Sequence, residues 1–425
     1  MTTLTVDPAT GGLRGRLRVP GDKSISHRAV LLSARAHGTS RVRGLSDGAD
    51  VVATLRAVTA FGARVDASPE VVAITGGALH EPESVIDVGN SGTGIRLLAG
   101  WAAGIDGLSV LYGDRSIARR PMGRVVEPLR RMGARIDGRD GGNLPPLTVR
   151  GGDLTGIDYE LPVPSAQVKG AVLLAGLAAS GATTVREKVP TRIHSEQMLA
   201  AFGAEVEIVA GRVTLQPGAL TATDVDVPGD PSQAAFWVVA ACLVPGSDLT
   251  VERVYVGPQR ASFLDVLRRM GAAVEVIGLD PEDTVADIRA RSGPLSGTEV
   301  GGDEVPGLID EIPVLAVAAA YARGPTRFRD AAELKVKESD RIATMVAGLR
   351  AMGADAQGAD DGLAVNGTGR PLAGGQVDSH GDHRIAMSMA VAALAASGPV
   401  RIDGWDAVAT SYPRFEHDLR RCRAA

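Results

Sequence analysis

TLRAVTAFGARV (54–65) returns in altered spelling as EPLRRMGARI (127–136), EQMLAAFGAEV (196–206), DVLRRMGAAV (265–274) and GLRAMGADA (348–356). Each copy holds a leucine-bearing helical stretch, then Phe or Met, then Gly-Ala, then a short strand-like run. The glycines are Gly62, Gly133, Gly203, Gly271 and Gly353, separated by 71, 70, 68 and 82 residues. Glycine enters the left-handed conformation past a helix end without a Cβ clash, so the pattern predicts a helix stop at each. A sixth helix of this kind, PRFEHDLRRC (413–422), lies at the end of the sequence. The chain therefore reads as six related units.

A second phrase alternates with the first. It is an Ala-rich, nearly all-apolar helix opened by polar residues: KSISHRAVLLSARAHG (23–38), NSGTGIRLLAGWAAG (90–104), SAQVKGAVLLAGLAASG (165–181), DPSQAAFWVVAACLVPG (230–246), DEIPVLAVAAAYARG (310–324) and DHRIAMSMAVAALAASG (382–398). A helix that is apolar all round belongs inside a domain. Each is followed by a β-rich segment. A unit thus holds one buried helix, one amphipathic helix and several strands, which makes the fold α/β with three units per domain. Pro and Gly interrupt the periodic stretches at VDVPGDPSQ (225–233) and at the RVPGDKS turn near residue 20, the two candidate boundaries.

Composition agrees with two domains. The 425 residues are 44% hydrophobic and 22% charged, enough for sizeable cores and too apolar for a disordered chain. Aromatics reach only 3%, so the helices must pack through small side chains. The net charge of −5 argues against a general nucleic-acid binder, and any anion site must be a local cluster of Lys and Arg. Cys242 and Cys422 have no CxxC spacing, which gives neither a zinc site nor a disulfide framework and suits a reducing, cytoplasmic setting. No signal peptide is read at the N-terminus, and the longest apolar runs, such as 171–179, are too short for a bilayer.

The chemistry gathers at the starts of the buried helices. A helix N-terminus offers unpaired N–H groups and a positive dipole end, which together attract anions. GDKSISHR (21–28) puts Lys23 and Ser24 at such a start and Arg28 about one turn further on the same face. Charges on an otherwise apolar helix need partners, because an unpaired buried charge is very costly. An internal salt bridge or a snorkelling surface Lys is the plainer account. In GNSGTGIR (89–96) the glycines permit close backbone approach and Asn90 is a candidate cap; an ordinary capped turn explains it as well. DRSIARRPMGR (114–124) places Arg119 and Arg120 before Pro121, which suits the first position of the next helix. An Arg fork there can grip carboxylate or phosphate, although such clusters are commonly solvated faces.

VPSAQVKG (163–170) brings Ser165, Gln167 and Lys169, and TRIHSEQ (191–197) brings Arg192; alone neither is informative. LIDEIP (308–313) sets Asp310 and Glu311 at a helix start, where either a cleft-facing carboxylate or a plain cap by Asp310 fits. LKVKESDRI (334–342) carries Lys335, Lys337, Glu338, Asp340 and Arg341, a run that also suits a solvated helix end. SHGDHRIAM (379–387) carries His380, Asp382, His383 and Arg384. A third ligand at metal spacing is missing, and the adjacent Arg would repel a cation, so no metal is expected.

GDKSISHR, GNSGTGIR, RRPMGR, VPSAQVKG, LIDEIP, VKESDR and DHR occur in the order found in the 5-enolpyruvylshikimate-3-phosphate synthase family, and the resemblance runs from about Val19 to Pro413. The related UDP-N-acetylglucosamine enolpyruvyl transferases typically carry a reactive loop Cys, and neither Cys242 nor Cys422 falls there. The resemblance implies a two-domain inside-out α/β barrel with three βαβαββ units per domain. One domain would comprise residues 1–20 and 229–425, the other residues 21–228, with the active site in the cleft between them. It implies transfer of the enolpyruvyl group of phosphoenolpyruvate to the 5-hydroxyl of shikimate-3-phosphate, in the shikimate pathway to chorismate and the aromatic amino acids.

No cofactor is implied, and a cytoplasmic monomer is expected. Shikimate-3-phosphate would be held by Lys23, Ser24, Arg28, Ser165, Ala166, Gln167, Arg192, Asp310 and Lys337. Phosphoenolpyruvate would be held by Lys23, Asn90, Gly92, Arg120, Gln167, Arg341 and Arg384. Asp310 would handle the 5-hydroxyl proton and Glu338 the methylene proton, with Lys23 and His383 assisting. Many members carry a Lys where this chain has Thr410; members that share VPSAQVKG and SIARRPMGR also lack it, so the resemblance leaves the count of phosphate contacts open. Glyphosate is a candidate inhibitor: Gly92 is intact, while Leu97 stands where many members have Pro. Two alternatives are a transferase of the same fold with another hydroxyl acceptor, and a non-catalytic anion-binding paralogue. The retention of Ser165, Gln167 and Arg192 speaks against the first, and that of Asp310 and Glu338 against the second.

Overall fold

The computed structural model describes residues 2–278 and 284–424. The chain divides into two compact units, Gly21–Val227 and Met1–Pro20 with Pro228–Ala425. The sequence expectation placed the second crossing one residue later, after 228.

The repeated Gly-Ala phrase is one hydrogen-bonded motif in five copies. The alanine N–H after each glycine donates to the carbonyl five residues back: Ala63 to Val58 (3.1 Å), Ala134 to Leu129 (3.1 Å), Ala204 to Leu199 (3.0 Å), Ala272 to Leu267 (2.9 Å) and Ala354 to Leu349 (3.0 Å). Each glycine N–H donates to the carbonyl three residues back, and the glycine φ angles run from +85° to +105°. This is the Schellman closure, which satisfies the last carbonyls of a helix and needs positive φ at the glycine. The Phe or Met before each glycine is buried, and so are the five acceptor residues. The phrase therefore ends the helix and pins its last turn to the core.

In the unit Gly21–Val227 the buried helices are α1 (Lys23–Arg35), α3 (Gly92–Ala103) and α5 (Ala166–Gly176). The amphipathic helices are α2 (Ala49–Ala60), α4 (Gly123–Arg131) and α6 (His194–Ala201). Three four-stranded sheets share one pattern, a parallel pair followed by two antiparallel strands. Their orders are Val225–Asp226, Gly38–Arg43, Val71–Gly76, Arg64–Ala67; Ile86–Asp87, Gly107–Tyr112, Leu144–Gly151, Arg135–Arg139; and Asp158–Glu160, Thr183–Arg186, Arg212–Leu215, Val206–Val209. Val225–Asp226, the last strand of the unit, completes the first sheet. Buried and exposed residues alternate along Gly38–Arg43 and Gly107–Tyr112, as expected when one sheet face covers helices and the other meets water.

Low aromatic content shows as close helix packing. A Cβ built on Gly100 of α3 would lie 2.1 Å from the Ala171 carbonyl oxygen of α5, so those two backbones touch where only glycine fits.

The other unit repeats the plan. Its buried helices are α7 (Pro231–Leu243), α10 (Ile312–Tyr321) and α12 (His383–Leu394). Among the described residues, the remaining α-helices are α8 (Ser262–Arg269), the short α9 (Val305–Leu308), α11 (Arg341–Ala351) and α13 (Phe415–Ala424). Two sheets have the same four-strand pattern. The first strand of one is Arg14–Leu17, parallel to Asp248–Tyr255. The third sheet has Gly375–Asp378 parallel to Val400–Asp403, and its antiparallel member is Thr3–Val6. The N-terminal strands thus complete units whose helices lie hundreds of residues later. Among the described residues, no helix is long and apolar enough to cross a membrane.

Two local expectations are corrected. The cap of α3 is Ser91, whose Oγ accepts from Gly94 N at 2.9 Å; Asn90 does not cap. α4 begins at Gly123, so Pro121 precedes the helix instead of opening it. Met122 N is held by the Asn143 carbonyl at 2.7 Å, a contact 21 residues away that delays the first turn.

Candidate active site

In the unit Gly21–Val227, the N-terminal ends of α1, α3 and α5 are tied together by polar side chains. Asp22 caps α1 through Ile25 N at 2.8 Å. Lys23 Nζ lies 2.9 Å from Asp50 Oδ2, which belongs to α2. Arg28, one turn on, is buried. Its Nε donates to Ser195 Oγ (2.7 Å), Nη1 to the Ser24 carbonyl (2.9 Å) and Nη2 to the Ala166 carbonyl (3.3 Å). Ser165 caps α5, and Gln167 follows in its first turn. Gln167 Oε1 accepts from Arg96 Nη1 at 2.7 Å, and its Nε2 donates to Thr93 Oγ1 at 2.9 Å. Arg96 also reaches the Gly92 and Pro121 carbonyls.

Arg120 Nη2 donates to Asn90 Oδ1 and Ser116 Oγ, each at 3.3 Å, and Asn90 Nδ2 donates to Asp114. The bonds of Arg28, Arg96 and Arg120 named here end on neutral acceptors and orient the guanidiniums. His27 sits behind them against Thr54 and Ser91. Burial, then Lys23 and Arg28, hold its pKa well below the usual histidine range, which keeps the ring neutral. Arg192 lies in the segment just before α6, partly buried.

In the other unit the ends of α10, α11 and α12 meet around Asp310. Asp310 Oδ1 has Arg341 Nη1 at 3.2 Å, Lys337 Nζ at 3.7 Å and Arg384 Nε at 3.9 Å. Arg384 Nη1 also donates to the Asp310 carbonyl at 3.1 Å. Arg341 Nη2 lies 2.6 Å from Glu338 Oε2, and its Nε lies 2.8 Å from Asp382 Oδ2. Burial works against the charge of Arg341, but Asp382, Glu338 and Asp310 outweigh it and raise its pKa. Burial pulls Lys337 below the usual lysine range, while Asp310 and Glu333 oppose that shift. Asp382 caps α12 through Arg384 N at 2.9 Å, and His383 is buried in the first turn. Glu311, the second carboxylate of LIDEIP, is buried and accepts from Ser232 at the start of α7. Thr410 turns its hydroxyl to the Ala407 carbonyl at 2.7 Å.

A match to the family model for EPSP synthase (3-phosphoshikimate 1-carboxyvinyltransferase) spans residues 8–419. The chain belongs to the EPSP synthase family. It is 52% identical to the 3-phosphoshikimate 1-carboxyvinyltransferase of Geobacter sulfurreducens, covering 98% of both chains. It is 48% identical to that of Pelobacter propionicus over 100% of this chain and 99% of the relative. The solved EPSP synthase from Acinetobacter baumannii superposes with a TM-score of 0.87 at 42% identity, covering 99% of this chain and 98% of the other. The enolpyruvyl transferase NikO from Streptomyces tendae, at 21% identity and a TM-score of 0.79, shares the fold.

Within this EPSP synthase family member the sequence motifs fall into two clusters, one per unit. Lys23, Ser24, Arg28, Asn90, Gly92, Arg120, Ser165, Ala166, Gln167 and Arg192 lie in Gly21–Val227. Asp310, Lys337, Glu338, Arg341, His383 and Arg384 lie in the other unit. Sequence reasoning gave no role to Arg96, Asp50, Ser195 or Asp382. Arg96 carried the same signal as Arg28, a cation on an apolar helix. Asp50 and Ser195 carried none, since their importance comes from partners 27 and 167 residues away.

Proposed function

We propose that both clusters act on one pair of substrates, and that the chain transfers the enolpyruvyl group of phosphoenolpyruvate to the 5-hydroxyl of shikimate-3-phosphate. The observation that carries the mechanism is the Asp310 cluster: one carboxylate among three cations, with a second carboxylate, Glu338, on the same guanidinium. The 5-hydroxyl oxygen bonds to C2 of phosphoenolpyruvate and gives its proton to Asp310. C3 takes a proton from Glu338, with Lys23 and His383 assisting. The tetrahedral ketal phosphate then returns a C3 proton to Glu338, the C–H electron pair forms the C2–C3 double bond, and the C2–O bond breaks with its pair leaving on phosphate, which takes the proton held by Asp310. Proton transfers of this kind need positioned acid–base groups. Fixed cations that meet the phosphate and carboxylate charges need no reorganisation as charge moves. The scheme uses no metal or organic cofactor.

Lys23, Ser24, Arg28, Ser165, Ala166, Gln167, Arg192, Asp310 and Lys337 hold shikimate-3-phosphate in this reading. Lys23, Asn90, Gly92, Arg120, Gln167, Arg341 and Arg384 hold phosphoenolpyruvate. The enzyme is read as a cytoplasmic monomer. Burial pushes the Cys242 thiol up to about 12 and Cys422 up to about 11, so both stay protonated. The test is phosphate release with each substrate omitted in turn. Release is expected only with both present, and release with another hydroxyl acceptor in place of shikimate-3-phosphate would favour the rival transferase.

Arg28→Ala is expected to weaken shikimate-3-phosphate binding by about 2–5 kcal/mol, the usual loss for a buried charge contact. Titration calorimetry checks it, and an unchanged affinity would show the acceptor site to be misplaced. Gly92 is tighter still. A Cβ there would stand 2.3 Å from Arg120 Nη1 and 3.4 Å from Arg96 Nη1. Gly92→Ala should displace the Arg120 guanidinium and raise the glyphosate inhibition constant more than the phosphoenolpyruvate KM. Equal rises would contradict it.

A further inference from the structure

We propose that Lys169 is a positioning residue for the phosphorylated acceptor, acting through Glu187 and Glu196. The proposal rests on the reading that Arg28 and Arg192 hold shikimate-3-phosphate. Lys169 is completely buried on α5, a helix apolar apart from it and Gln167, and no step of the reaction uses it. Its Nζ lies 2.8 Å from Glu187 Oε2 and 2.7 Å from Glu196 Oε1. Glu187 follows the strand Thr183–Arg186, and Glu196 lies in the first turn of α6. One ammonium therefore clamps both ends of the segment 187–196. Thr191 donates to Glu187 Oε1 and closes the front half of that segment on itself.

Two proposed acceptor contacts depend on the clamped segment. Arg192 lies inside it. Ser195, beside Glu196, takes the Nε–H of Arg28 at 2.7 Å. The backbone of α5 is pressed against the same point: a Cβ on Gly170 would fall 2.8 Å from Ser195 Oγ and 3.2 Å from Arg28 Nη2. Stability alone is a weak reason for such a cluster, because buried ion pairs are often replaceable by apolar side chains at no loss. A single ammonium between two carboxylates does, however, fix both in direction and distance. Carboxylates held this way orient the groups that touch ligand.

The test uses Glu196→Gln and Glu187→Gln, each of which keeps the other salt bridge to Lys169, with Arg28→Ala and the Arg28→Ala/Glu196→Gln double variant. Each Gln variant is expected to raise the shikimate-3-phosphate KM about tenfold or more, with the phosphoenolpyruvate KM within about twofold. The double variant should lose less than the sum of its parts, since both changes act on one contact. A merely structural cluster would lower the melting temperature and move both KM values alike, and that outcome overturns the proposal. So does full additivity in the double variant, or a Gln variant that fails to fold when its partner folds with an unchanged KM. An effect of Arg28→Ala without one of Glu196→Gln overturns this inference alone. No effect of Arg28→Ala overturns the acceptor-site reading and this inference with it.

Discussion

Glu338→Gln lowers kcat by about 10²–10⁴-fold while shikimate-3-phosphate still binds. Glutamine has the same shape and keeps an oxygen for Arg341 Nη2, which now sits 2.6 Å from Glu338 Oε2. It cannot hold and release a proton at C3 of phosphoenolpyruvate. The side chain is 11% exposed, so solvent has little access from which to replace it. None of the groups proposed to hold shikimate-3-phosphate is altered, and calorimetry should return near-native affinity for it. Phosphate release under single-turnover conditions reads the chemical step directly. Near-normal turnover would remove Glu338 from the mechanism.

Asp382→Ala should destabilise the unit that contains both termini by about 3–5 kcal/mol, the cost of leaving a buried charge without its partner. Asp382 has no exposed surface. It accepts Arg341 Nε at 2.8 Å, Ser339 Oγ at 3.2 Å and the Arg384 backbone N–H at 2.9 Å. The substitution therefore removes a helix cap, worth about 1 kcal/mol, together with the main counter-charge of Arg341. The two losses share atoms and should not add fully. Hydrogen exchange at the α12 amides reads the stability of this unit apart from the other. The phosphoenolpyruvate KM should rise as well, because Arg341 and Arg384 are both seated by Asp382. Asp382→Asn separates the effects, since asparagine can still cap α12. Native exchange rates in Asp382→Ala would mean that Glu338 and Asp310 alone suffice for Arg341.

The two predictions draw on different uses of the same guanidinium. Arg341 is shared by Asp382, which anchors it, and by Asp310 and Glu338, which are proposed to move protons. Its raised pKa means that it stays charged throughout, so it can orient both carboxylates without entering the proton traffic.

Much of this could be read along the chain. The five Gly-Ala closures were legible because each is made of hydrogen bonds within six residues, and nothing remote decides whether glycine can take positive φ. The buried helices were legible because an all-apolar helix has no face to give to water. Arg28 stood out because its surroundings in sequence were wrong for a charge. Asn90 and Ser91 show where this fails. Both can cap a helix, and the choice fell to Ser91 because Asn90 is engaged by Asp114 and Arg120. Pro121 failed for the same kind of reason, since the Asn143 carbonyl holds Met122 ahead of the helix.

By itself, then, the sequence determined where helices end, which of them are interior, and that cations stand at their starts, since each of these is decided by neighbours within a turn or two. Tertiary structure alone decided which cation meets which acceptor: Arg28 with Ser195, Arg96 with Gln167, Arg341 with Asp310 and Asp382. Coulomb and hydrogen-bond energies act over a few ångströms of space, and distance in space between remote residues is fixed only when the helices carrying them have packed.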